Sequence, residues 1–120
     1  MDILSPEFLK DIFKLQKEKE LFGKWITFQN IEKLFEKHNK VFQINQLGFS
    51  EQKRPIYTLK IGSGKKKILL WSQMHGNEST GTRALFDLFN CFSNSSIAEL
   101  ETILKAVSYT HLRAHETDSY

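Results

Sequence analysis

The sequence has a single cysteine, Cys91, in 120 residues, so no intrachain disulfide can form. Two prolines and six glycines are too few for a fibrous or low-complexity chain, and no internal repeat is visible. No apolar run approaches the length that spans a bilayer. The first residues, Met1 to Glu7, carry early acids and no continuous apolar stretch, which excludes a secretory signal and leaves a cytoplasmic protein without a membrane partner as the expectation. Charge of one sign is also scarce. Seventeen Lys and Arg against fourteen Asp and Glu leave only +3, and the lysines are scattered, so the pI of about 9.0 reads as a solvated basic surface and no nucleic-acid partner is expected. What the chain does have is apolar mass. Forty per cent hydrophobic residues with ten Phe suffice for a core, and the length suits one domain.

Ser5-Pro6-Glu7 reads as a helix start, with a capping hydroxyl, Pro at the first helical position and an acid near the positive end of the dipole. Phe8, Leu9, Ile12, Phe13 and Leu15 give it an apolar stripe. After a break at Gly23, Thr27 caps a second expected helix, where Phe28, Ile31, Leu34, Phe35 and His38 recur at helical steps. His38 reads as a helix-terminal residue rather than a ligand. Two short β-type runs follow, 41–47 and 54–61, joined by a polar loop that favours an antiparallel hairpin. Gly62-Ser63-Gly64-Lys65 is a turn signal. The unalternating run Ile68-Leu69-Leu70-Trp71 predicts a third strand, buried on both faces and central in its sheet. A helix over 80–92 follows, capped by Ser79 or Thr80, with Ala84, Leu85, Leu88 and Phe89 as its expected buried face. Cys91 lies on an apolar helical face and reads as an inert thiol. Another helical stripe runs over 97–105. Lys65, Lys66 and Lys67 read as a solvated turn.

Between the third strand and its helix stands Met74-His75-Gly76-Asn77-Glu78. An imidazole and a carboxylate three residues apart can converge on one metal ion if the backbone turns tightly between them, which Gly76 permits. The carboxyl end of a buried strand is where ligands bind in open α/β sheets, and helix-start amides favour negative charge there. Spacing and placement alone leave metal binding and a structural polar loop both open.

The segment Trp71-Ser72-Gln73-Met74-His75-Gly76-Asn77-Glu78-Ser79-Thr80-Gly81 resembles the first metal motif of the zinc carboxypeptidases, the carboxypeptidase A-like metallopeptidases. Gly48-Phe49-Ser50 with Arg54 to Gly62 is similar to that family's second strand and its lead-in, and the helix 28–38 to its opening helix. The resemblance covers roughly Trp25 to Phe92. It implies an α/β fold: the amino-terminal part of a mixed-sheet, three-layer zinc-peptidase-like domain with helices, an antiparallel hairpin, a central strand and a helix, incomplete as it stands. By resemblance, zinc is the cofactor, His75 and Glu78 are two of its three protein ligands, and a peptide is the substrate. The family's third ligand, a His, its general base, a Glu, and its carboxylate-gripping Arg residues would lie beyond this sequence, so no catalytic residue is expected within it and the isolated chain is expected to be an inactive hydrolase fragment. Asn77 stands where some members place an Arg, and Arg83 suits a surface or packing role.

From about Val107 no helical or strand period is evident, and the stretch resembles translated sequencing-adaptor read-through. The expected division is therefore 1–106 as the family fragment and 107–120 as a non-native tail, which also sets aside His111, His115 and Glu116 as ligands. Two other functions use features of the same sequence. A zinc-dependent deacylase resembling the succinylglutamate desuccinylase and aspartoacylase relatives would use the same H-G-N-E pair, although the preceding helix and strands favour the peptidase. A small basic interaction or nucleic-acid-binding module would use Lys65 to Lys67 and the first helix.

Overall fold

The computed structural model describes residues 5–94 and 98–113. The chain runs α1 (Pro6–Gln16), α2 (Phe28–Glu32), α3 (Phe35–His38), β1 (Gln43–Phe49), β2 (Pro55–Ile61), β3 (Lys66–Trp71), α4 (Thr80–Asn94), α5 (Ala98–Ala106) and β4 (Val107–Arg113). No helix among the described residues is long and apolar enough to cross a membrane.

Helix α1 begins where expected, with Ser5 Oγ accepting from the Phe8 amide at 3.2 Å and Pro6 at the first position. The segment 28–38 is two short helices rather than one. Asn30 Oδ1 accepts from both the Thr27 amide and its hydroxyl, which sets the start of α2. The apolar stripe survives the break between the two helices. Ile31, Leu34 and His38 are buried, and the rings of Phe28 and Phe35 lie 5.9 and 5.0 Å from that of Tyr57 on β2.

The sheet has the order β1-β2-β4-β3. Strands β1 and β2 form the expected antiparallel hairpin, with a register shift between Gln46 and Gly48 that leaves Leu47 as the extra residue of a bulge. Strand β4 pairs antiparallel with β2 and parallel with β3. The parallel pair needs a long crossover, and α4 and α5 supply it. Two expectations change here. Residues 107–113 had no readable strand period and were set outside the fold, yet the structure places them as β4 between two partners. Strand β3, expected at the centre and buried on both faces, lies at the edge of the described sheet. Leu69 and Trp71 are 64% and 56% exposed, on the face of β3 opposite the half-buried Ile68 and Leu70.

One core joins the layers. Leu59 and Ile61 of β2, Phe86 and Phe89 of α4, Ile31 of α2, with Leu21, Ile26, Leu34 and Phe42, form the buried cluster. The buried face of α4 is Thr82, Phe86, Phe89 and Asn90, rotated from the expected Ala84, Leu85, Leu88 and Phe89. The rotation brings the Phe86 and Phe89 rings against His38, at 5.8 and 6.0 Å. Fully burying such a ring contributes about 1.5–3 kcal/mol. Ala84 is left exposed.

Polar contacts fasten the segment after α1 to α4. Glu18 is 3% exposed. Its amide donates to Asp87 Oδ1 at 2.7 Å, and its carboxylate accepts from Lys37 Nζ at 2.6 Å and from Asn90 Nδ2 at 3.2 Å. Asn90 Nδ2 also donates to the Gln16 carbonyl at 2.9 Å. Burial acts to raise the Glu18 pKa, but Lys37, the Glu20 amide and Asn90 outweigh it and hold the carboxyl below its ordinary value. A depressed carboxylate lends stability above its unfolded pKa and loses it as the pH falls. Glu18→Gln is expected to lower stability by about 1–2 kcal/mol at neutral pH, since Lys37 remains half in solvent. Urea melts of the variant at pH 7 and pH 3 should show the difference shrinking in acid; an equal difference at both would count against the ionised contact.

Candidate metal site

The β3–α4 connection buries Ser72, Gln73, Gly76 and Ser79 and leaves His75 and Glu78 exposed. Gln73 adopts φ 55°, a left-handed conformation that costs a side-chain-bearing residue about 1–2 kcal/mol. Surrounding hydrogen bonds hold it there. Gln73 Nε2 donates to the Gly76 carbonyl and to the Ile26 carbonyl, each at 2.8 Å. Gln73 Oε1 accepts from Thr82 Oγ1 at 2.9 Å. Thr82 has one hydroxyl proton and uses it on Gln73, so Ser72 is the donor in the 2.9 Å Ser72–Thr82 contact. Gln73, Thr82 and Ser72 are all buried.

A tight turn follows, with the Glu78 amide donating to the His75 carbonyl at 3.0 Å. Gly76 is buried in it while Asn77 faces out. Ser79 was one of two candidates for capping α4 through its hydroxyl, but that group donates to the Lys24 carbonyl at 2.7 Å. It is the Ser79 carbonyl that opens the helix, accepting from the Arg83 amide at 3.1 Å. The segment 24–26 is thereby docked to the loop at two points.

The turn brings the predicted pair together. His75 Nδ1 stands 3.0 Å from Glu78 Oε2, and the two side chains are 70% and 68% exposed. Two ligand atoms bound to one tetrahedral zinc at about 2.0–2.1 Å lie about 3.3 Å apart. The pair is hydrogen-bonded to itself near that separation, with a nitrogen and an oxygen ligand atom of the kinds zinc accepts. Both side chains line an open cleft of about 740 Å³. Asn77 and Thr80 also line it, and Leu70, Trp71, Met74 and Leu85 form an apolar wall. The donor chemistry and spacing fit a metal ion.

No third ligand joins them among the described residues, where no group of three or more His, Cys, Asp or Glu converges. The backbone of His111 pairs with Leu59 and Leu70, and His115 and Glu116 lie outside the described residues. His38 is buried at the end of α3, against Phe42, Phe86 and Phe89, in the core rather than in the cleft. Burial, then the Lys37 charge, lower its pKa to about 4. The Cys91 thiol is pushed up by burial and by Asp87, which removes thiolate character and agrees with an inert role. Lys65, Lys66 and Lys67 are exposed, and Lys67 Nζ donates to the Gly64 carbonyl, as a solvated turn would have it.

Neither Gln73 nor Thr82 is marked as functional by the sequence alone. Thr82 carries no local signal, since its partners are set by how α4 meets the loop. Gln73 lies inside the motif, but its left-handed backbone is not encoded by residue type. The zinc carboxypeptidase family profile matches residues 27–110. That stretch runs from the cap of α2 through the cleft and into β4. Comparison with curated proteins finds no match.

Proposed function

The chain belongs to the zinc carboxypeptidase family, and on that premise we propose that His75 and Glu78 are two of the protein ligands of a catalytic zinc in a carboxypeptidase whose remaining site lies outside this sequence. The convergence of Nδ1 and Oε2 at 3.0 Å on the cleft wall carries this reading. His75 binds through Nδ1, the atom that faces Glu78, and Glu78 through its carboxylate. When bound, zinc supplies Lewis-acid polarisation of a scissile carbonyl and a nucleophile from water at neutral pH. The chain's own part is to aim the two ligands. The turn closes their spacing, and the buried bonds of Gln73 and Ser79 fix the loop on the core.

The substrate proposed is a peptide, hydrolysed at its carboxy-terminal bond. The apolar wall of Leu70, Trp71, Met74 and Leu85 suits a peptide side chain beside the ligands. With two ligands and no partner for acid–base transfer among the described residues, the isolated chain is expected to bind zinc weakly and to lack peptidase activity. The family's third His, Glu base and Arg residues belong, on this reading, to the rest of the enzyme.

Zinc titration of the purified chain, followed by ¹H–¹⁵N NMR, tests it. Shifts should concentrate on residues 75–78. Changes beyond the direct ligands commonly cost about 10–100-fold in metal affinity, so His75→Ala or Glu78→Ala is expected to cost at least that. Zinc binding that survives both substitutions would overturn the assignment. Chelator-sensitive hydrolysis of a blocked dipeptide by the chain alone would overturn the expectation that it is inactive.

A further inference from the structure

We propose that Gln73 is a positioning residue for the zinc ligands, acting as a side-chain clamp that sets the His75–Glu78 turn against the core. The inference rests on the reading of His75 and Glu78 as ligands and adds a residue to it. Three observations converge on Gln73. Its backbone is left-handed, at φ 55°, in a residue whose side chain disfavours that conformation. Its side chain is buried, at 4% exposure, two residues before an imidazole that is 70% exposed. Its amide bonds in three directions: to Gly76 inside the turn, to Ile26 in the preceding segment, and to Thr82 on α4.

The Gly76 contact is the informative one. A residue needed only for packing would have no reason to bond the carbonyl between the two ligands. The Gln73 amide ties Gly76 to the Ile26 segment and to α4, both of which contribute to the core. The ligand pair itself is in solvent, so it has no packing of its own to hold its geometry. Its order comes through the turn, where Gly76 is held by Gln73, the Glu78 amide by the His75 carbonyl and Ser79 by Lys24. A strained backbone retained at such a place is the pattern expected where structure is spent on preorganisation.

The clamp and the strain can be separated experimentally. Gln73→Gly removes the amide but relieves the left-handed backbone, so its melting temperature should fall less than that of a variant that keeps the strain. Gln73→Met keeps the side-chain length and the strain and removes the amide. Thr82→Val cuts one support of the clamp with its volume preserved. Each variant of the 120-residue chain is titrated with zinc chloride by NMR, and ¹⁵N relaxation order parameters are measured for residues 74–78 without metal. Zinc affinity about tenfold or more weaker in Gln73→Gly, with order parameters lowered in the turn and unchanged in β2 and α4, is the expected result. Thr82→Val should fall between it and the unsubstituted chain. Where Gln73→Met fails to fold, Gln73→Gly decides. Unchanged turn order and unchanged zinc affinity in Gln73→Gly would overturn the proposal while leaving the ligand assignment intact. If the unsubstituted chain binds no zinc, the ligand assignment fails, and the turn order parameters alone decide whether Gln73 is a clamp.

Discussion

Gly64→Ala is expected to cost at least about 3–4 kcal/mol, enough to unfold a marginal domain or to force β4 out of the sheet. A Cβ built at Gly64 would overlap the Ala106 carbonyl carbon and oxygen and the Val107 nitrogen. These are backbone atoms at the junction of α5 and β4, so no side-chain rotation can relieve the overlap, and the strand or the loop must move. The same loop is tied to that junction by the Ser63 amide donating to the Leu104 carbonyl at 3.0 Å and by the Gly64 amide donating to the Val107 carbonyl at 3.4 Å. Movement would therefore break pairing as well as relieve the clash. Gly48→Ala is the control. Nothing lies within 4 Å of a Cβ there, and its stability should stay within about 0.5 kcal/mol of the unsubstituted chain. Urea denaturation by circular dichroism compares the two, and a Gly64→Ala midpoint equal to that of Gly48→Ala would show that β4 is not packed as described.

Acid should destabilise the protein through His38, by about 3 kcal/mol between pH 6.5 and pH 4. The ring is fully buried, with Nδ1 3.2 Å from Ser93 Oγ. Nε2 is buried with no hydrogen-bond partner among the described residues, among the rings of Phe42, Phe86 and Phe89. A proton on Nε2 would be a donor facing carbon. The folded pKa falls from 6.5 to about 4, driven first by burial and then by the Lys37 charge, with Glu18 opposing. The sign follows from proton counting. Between the two values the unfolded chain binds the proton and the folded one does not, so stability is full above pH 6.5 and declines as the pH drops toward 4. Glu18, also depressed, continues the loss at lower pH. Urea melts across pH 4–8 check this, with His38→Phe as the comparison. That variant should lose most of the slope between pH 4 and 6.5. An unchanged slope would place the titration elsewhere.

Local rules carried the reading of this chain wherever a residue type imposes its own geometry. Ser5-Pro6 marks a helix start because a hydroxyl and a fixed φ do so in any context. The stripe from Phe28 to His38 names its buried face because helical periodicity repeats regardless of what covers it. The rules were weaker where burial depends on a neighbour. Ile68 to Trp71 read as a strand buried on both faces, but apolarity says only that a residue tolerates burial. Whether Leu69 and Trp71 are covered depends on what lies beside β3. The same holds for α4, where Phe89 is buried as expected but Ala84 and Leu88 are not, and Thr82 and Asn90 take places in the buried face. Both polar residues are buried because each has partners from distant segments, Gln73 for one and Gln16 with Glu18 for the other.

The residues His75 and Glu78, their spacing and their place between a strand and a helix were determined by the sequence by itself, since a three-residue interval at such a junction is a local property. Tertiary structure alone decided that the interval closes to 3.0 Å, and that Gln73, Thr82 and Ile26 anchor the turn. It also placed β4 between β2 and β3. The last two rest on hydrogen-bonding matches between separate segments, Gln73 to Ile26 and β4 to β2 and β3, and a backbone amide or a buried Gln carries no mark in the sequence of the partner it will find.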